Sequence, residues 1–182
     1  MKKLLVFLLL SAVSACAQMQ TLDFGSRGKL TLFLLGDWKS TITDMAGQYT
    51  VTLSPKSEAV NSSCHITVTF PDVDRYDTKA RLKLRLEADV RAAAEQSVEG
   101  RAYGQEFTLT AGYGFYCNFT DPELRGKPPE KGNYKVTTIG KIRPHPSLLV
   151  DVQILSDGFS SEPHQQLLAA IEGMEFSPGR GR

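Results

Sequence analysis

The 182-residue chain predicts an α+β fold, an antiparallel sheet of six to seven strands covered by two helices. Three observations predict it. Apolar and polar residues alternate with period two over short segments in both halves of the chain. Two stretches of helical period interrupt that alternation. Most connections between alternating segments are of hairpin length, which places the helices on an antiparallel sheet rather than between parallel strands.

Taken in order, residues 18–24 form a short extended lead and residues 29–35 a strand, with Gly36-Asp37 turning the chain into Trp38. Residues 38–43 and 48–53 read as a hairpin around Asp44-Met45-Ala46-Gly47. A polar connection over 54–63 leads to a strand over 64–70, which Pro71 ends. A helix is predicted over 77–98, because Leu82, Leu86, Val90, Ala93 and Ala94 recur at helical spacing and Gly100 supplies a stop. The period then returns to two, predicting strands over 106–111, 114–120, 134–143 and 148–155. Between them, residues 121–133 are rich in Pro, Gly and charge, the composition of a long surface loop that carries function. The last helix spans 162–172, with Ser160 or Ser161 as N-cap, Pro163 in the first turn and Gly173 beyond the end. Residues 177–182 are expected to fray.

The first residues have another purpose. Lys2 and Lys3 precede an unbroken apolar run, Leu4 to Leu10, which continues through Ala12 and Val13. That run is too short to cross ~30 Å of hydrocarbon as a helix and has the form of a signal peptide, here residues 1–15. Val13-Ser14-Ala15-Cys16 has the pattern of a lipobox, with Cys16 lipidated and first in the mature chain. Ala15-Cys16-Ala17 is also a small-x-small site for ordinary cleavage before Gln18, which extends the leader to residue 17. Both readings lead to an exported protein, in the periplasm or held at the outer membrane, with a single domain over 18–176 and no transmembrane span in the mature chain. Removing Lys2 and Lys3 takes the formal charge from +1 to −1, and no dense basic cluster remains, which argues against nucleic-acid binding.

Apart from Cys16 the chain has two cysteines, Cys64 and Cys117, in a compartment that permits disulfides. Alternation puts Cys64 with Ile66, Val68 and Phe70, and Cys117 with Tyr113, Phe115 and Phe119. Both thiols therefore point to an apolar side. They are either a disulfide or two buried cysteines acting as small hydrophobes.

Gly112-Tyr113-Gly114-Phe115-Tyr116, Thr120-Asp121-Pro122, Pro128-Pro129, Gly132-Asn133-Tyr134-Lys135 and Leu155-Ser156-Asp157-Gly158 form a series of short motifs. Together they resemble a group of small exported bacterial proteins. The order of elements is similar to the PsbP-like sandwich, a fold of an extrinsic photosystem protein and of a small Ran-binding protein. The motif resemblance covers roughly the last 70 residues, and before Tyr103 it is topological. It implies a fold and transfers no residue's role.

Few residues suggest chemistry. His65, His145 and His164 are scattered, with no HExxH or CxxC, and read as surface residues rather than metal ligands. Ser26-Arg27-Gly28-Lys29 matches S-x-x-K but lacks the S-D-N and K-T-G elements that accompany it in β-lactamases. Asp72, Asp74, Glu106, Asp121 and Asp151 supply carboxylates, and no spacing selects a glycosidase pair. Neither a catalytic group nor a cofactor is expected. Tyr116 and Asn118, on the other face of their strand from Cys117, and Asp151, opposite the apolar face of its own, are the candidate binding surface. The expected function is an exported accessory or binding module of the cell envelope, its partner an envelope protein or a small ligand; the alternative is a small secreted hydrolase or other enzyme.

Overall fold

The period-two segments become ten strands among the described residues of a computed structural model, which are 17–45, 47–71 and 76–179. The strands are β1 (Ala17–Asp23), β2 (Gly28–Leu35), β3 (Trp38–Met45), β4 (Gln48–Pro55) and β5 (Ser62–Thr69), then β6 (Gln105–Glu106), β7 (Tyr113–Thr120), β8 (Val136–His145), β9 (Leu148–Ser156) and β10 (Glu175–Pro178). Three α-helices accompany them: α1 (Lys79–Asp89), α2 (Arg91–Glu95) and α3 (Glu162–Glu172). The α+β class holds, with an addition. A seven-stranded sheet, ordered β3-β4-β5-β9-β8-β7-β6, is joined by a separate three-stranded sheet, ordered β1-β2-β10. All the pairings are antiparallel.

The large sheet is buried on both faces, by different elements. On one face lie α3 and the small sheet, enclosing a core of Leu30, Leu32, Leu34, Ile66, Val68, Val152, Ile154, Leu167 and Ile171. On the other, α1 and α2 set Leu82, Leu86, Val90 and Ala94 on Phe115, Cys117 and Phe119. The Thr78 side chain accepts the Arg81 amide and starts α1. Val90 leaves helical geometry at φ −96°, ψ 6°, so the predicted single helix breaks into two.

Three further expectations are corrected. The extended lead is β1, which pairs along the whole of β2. The residues after Pro178 apart, the tail is tied down, because β10 pairs with β2 through Glu175↔Thr31 to Pro178↔Gly28. Gly28 makes that return possible: its φ is +121°, and a Cβ there would sit 2.4 Å from the Ser177 carbonyl oxygen. The predicted strand over 106–111 shrinks to the two residues of β6. Beyond Glu106, Phe107 turns inward over the sheet, and the Thr108 amide is held by Glu172 of α3 at 3.0 Å. Phe107 reaches the core because Gly140 has no side chain; a Cβ there would lie 2.7 Å from the ring.

Gly140→Ala therefore forces Phe107 to move. The expected cost is about 1–3 kcal/mol, seen as a lower urea midpoint at unchanged slope. An unchanged midpoint would show that the ring is not seated there.

Candidate functional site

Register across the large sheet determines which side chains share a face, and the face beneath α1 changes character along its width. One row runs Thr41, Thr52, His65, Gln153, Ile139, Cys117 from β3 to β7. The next runs Thr43, Thr50, Thr67, Asp151, Lys141, Phe115. Both rows are apolar where α1 covers β7; beyond it the first becomes amide, imidazole and hydroxyl, and the second passes through the Lys141–Asp151 pair to hydroxyls on β5, β4 and β3. Threonine suits the open part because its branched side chain favours the pleated backbone while its hydroxyl is satisfied by water. His65 is held in its row by the Thr52 hydroxyl at 3.2 Å and lies 3.4 Å from that of Ser63.

Where the helical cover ends, a shallow groove of about 620 Å³ opens above the sheet. Its floor is Thr137, Ile139 and Gln153. One wall is Gln96 and Ser97, just after α2, and the other is Asp121 and Glu123, at the start of the loop following β7. Glu99 joins the two walls, accepting the Thr120 amide and hydroxyl, each at 2.8 Å. Partial burial works against its charge, but those hydrogen bonds hold its carboxyl below the usual range. The far end of the loop is fastened by Asn61, whose amide nitrogen lies within 3.2 Å of the Glu130 and Asn133 carbonyls and 2.8 Å from Asp157. Its oxygen accepts the Gly132 amide.

A charge ladder crosses from helix to sheet beside the groove. Arg85 pairs with Asp89 at 2.9 Å, Asp89 lies 3.5 Å from Lys141, and Lys141 hydrogen-bonds Asp151. The Lys141 side chain is 10% exposed, so its two carboxylates compensate a cation that the sheet keeps out of bulk water.

Of the three residues expected to form a binding surface, the structure places only Asp151 on this open face, and there it is engaged by Lys141. Tyr116 and Asn118 lie on the opposite face. Tyr116 stacks at 4.7 Å on Phe107 and bonds Gln105, and both burial and nearby Glu172 push its hydroxyl pKa up. Asn118 accepts the hydroxyl of buried Thr138 at 2.6 Å. One groove wall, Asp121 and Glu123, opens the 121–133 loop that composition marks as functional, whereas the sequence does not single out Gln153, His65, Thr67 or the other wall. Their signal is the run of threonines on consecutive strands, legible once the strand order is known.

The cysteine pairing is also corrected. Cys64, Ile154, Thr138 and Asn118 form one row, so Cys64 shares a face with Asn118, and Cys117, next in sequence, occupies the other. Three strand spacings, about 14 Å, separate the two chains, against a limit near 7 Å between bridged Cα atoms. Both thiols are free and buried.

Among the histidines, His65 and His145 lie partly exposed, His145 beside Ser147 in the β8–β9 turn. His164 is corrected from surface to core, at 2% exposure. Its Nδ1 lies 2.8 Å from the Ser156 hydroxyl and its Nε2 3.2 Å from that of Thr138. Thr138 donates to Asn118 and so accepts from Nε2–H; with the ring kept neutral by burial, the Ser156 hydroxyl turns to Nδ1 at 2.8 Å rather than to the Gly158 carbonyl at 3.3 Å, which Ser161 already satisfies. Lys29 of the S-x-x-K match is paired with Asp23 at 2.8 Å, and Glu106 with Lys79. Cys16, Asp72 and Asp74 lie outside the described residues. Among those described, no three His, Cys, Asp or Glu side chains form a group able to hold a metal ion.

No protein-family model and no curated protein matches the chain. A solved structure does: the 1.9 Å crystal structure of the Saccharomyces cerevisiae Ran-binding protein Mog1p is similar to this chain, with 14% sequence identity and a TM-score of 0.50. The match covers 89% of this chain and 96% of that one. The likeness defines a Mog1p-like α+β fold. No helix among the described residues is long and apolar enough to cross a membrane.

Burial pushes both thiols up, Cys117 to about 11. Neither should react with iodoacetamide at pH 8 in the folded protein, and both should react in urea without reductant. Intact mass counts the adducts, and a requirement for reductant would restore the disulfide. Burial likewise holds His164 below its ordinary value of 6.5. The unfolded chain takes up that proton near 6.5 and the folded chain resists it, so stability is complete above this pH and declines as pH falls below it. Urea midpoints between pH 7.5 and 5 should show this fall, and His164→Gln should flatten it.

Proposed function

We propose that the chain is an exported, non-catalytic binding module of the cell envelope, tethered through Cys16, which engages a protein partner through the open half of its large sheet. The observation that carries this reading is the two rows of threonine, histidine and glutamine beside a shallow, two-walled groove. A broad face of satisfied hydroxyls and amides suits a protein surface better than a small molecule, which favours an enclosed, mainly apolar pocket. Asp151 is engaged by Lys141 and Glu99 by Thr120, and among the described residues no histidine lines the groove to share a proton with its carboxylates, which favours binding over acid–base chemistry. Mog1p is described as a Ran-binding protein, so a chain of this fold serves there to bind a protein. Nothing in that comparison makes Ran the partner of this one. The lysine-led apolar run and the lipobox support the compartment and the tether.

A photo-crosslinking amino acid at Thr67 or Gln153, in the native envelope, should give one discrete adduct. The same group at Arg81, on the exposed side of α1, should give none. Thr67→Arg should lower the yield from Gln153 by about tenfold or more, by laying a long charged side chain across the threonine rows. Equal labelling from all three positions, or none from any, counts against the open face as the binding site.

A further inference from the structure

The outer face of the three-stranded sheet changes from apolar to charged along its strands. At one end the cross-strand pairs are Ala17–Leu35 and Met19–Phe33; in the middle Thr21 faces Thr31; at the other end Asp23 and Lys29 form an ion pair. Met19, Phe33 and Leu35 are 67%, 41% and 43% exposed. The core does not require them, because it takes the alternate residues Leu30, Leu32 and Leu34. An exposed cluster of large apolar side chains rimmed by polar residues marks a contact surface.

The chain itself indicates what covers this one. The apolar end is the start of β1, where Ala17, the residue that follows Cys16 in sequence, is already paired with Leu35. Adjacent Cα atoms are about 3.8 Å apart, so an acyl group on Cys16 enters the bilayer beside Ala17 and Leu35. There is no linker to hold the domain off the lipid. We infer that, on the Cys16-tethered reading above, the Met19–Phe33–Leu35 patch rests on the membrane surface. The domain then sits on its small sheet with the apolar end down. The small sheet covers the opposite side of the large sheet from the threonine rows, so the open face is directed away from the lipid. A lipid chain gives only part of a stable attachment, and an apolar patch next to it supplies a second contact.

Methionine oxidation tests this with an internal reference. Met45 is 72% exposed and lies at the far end of β3, whose first residue, Trp38, donates to the Leu35 carbonyl. Seven residues of strand put it about 23 Å from that contact. Acylated protein from membranes is reconstituted on phosphatidylethanolamine–phosphatidylglycerol vesicles and treated with dilute hydrogen peroxide. Met19 should then oxidise about fivefold or more slowly than Met45, whereas the two should oxidise alike in the unacylated chain free in solution. Replacing Phe33→Ser together with Leu35→Ser should abolish the protection of Met19 while leaving the protein on the vesicles. Equal oxidation of Met19 and Met45 on vesicles overturns the inference and leaves the tether standing. Protection of Met19 in solution, with a dimer in sedimentation, overturns it in favour of a second copy of the chain. An intact mass that starts at Gln18 without an acyl group overturns both the inference and the tether.

Discussion

Everything in this molecule depends on a large sheet whose two faces are covered by different elements, one of them only in part. Five adjacent strands of the large sheet, β4, β5, β9, β8 and β7, exchange their hydrogen bonds in one register up to a shift between Ile142 and His145, so parity commits each side chain before that shift to one face. One face is covered by α3 and the small sheet over most of its width, with Ile42 of β3 left half-exposed at the edge. The other is claimed by α1 and α2 over β7 and β8. These helices have eleven and five residues, about 16 Å and 8 Å of axis, too little to roof seven strands spaced roughly 4.8 Å apart. The remainder must be polar, and it is. A candidate binding face thus arises from a shortfall of helix as much as from any one residue.

The same two-sided burial explains which parts were legible in the sequence. Alternation gives the strands themselves with small errors at their ends, and the bounds of α3 as well, because Pro163 and Gly173 punctuate it. Alternation also gives parity within one strand. It does not say which face of one strand matches which face of the next, since that needs strand order and register. Cys64 and Cys117 both sit among apolar neighbours, and with a single buried face they would share it. With two buried faces they are divided. Tyr116 and Asn118 fail for the same reason, read as outward because Cys117 was inward, although both directions are inward at β7.

Other differences come from tertiary contacts that no local pattern encodes. Residues 106–111 alternate well enough for a strand, yet Phe107 gains more by inserting over Gly140 than by extending the edge. The β10 segment is short and ends in Pro178, a composition that reads as tail. It becomes a strand because Gly28 allows its backbone to approach β2. His164 stands in a first helical turn, where exposure is the usual expectation, but α3 enters over two hydroxyls, Ser156 and Thr138. The ring is buried at the cost of its charge, and its neutral form is the one that satisfies every neighbour.

The layers also give the molecule a direction. Reading outward from the large sheet, one side ends in an apolar-tipped small sheet and the other in hydroxyl rows and a groove. The two surfaces lie on opposite sides of the large sheet, separated by that sheet, the core under α3, and the small sheet itself. Their chemistries differ in the same sense: Met, Phe and Leu on one side are groups that lose little by leaving water, while Thr, Gln and His on the other keep theirs satisfied in it. On the proposed Cys16 tether, anchoring at the apolar tip would orient the domain as well as localise it, because Ala17 is already in the strand pairing and leaves no linker in which the domain could turn over.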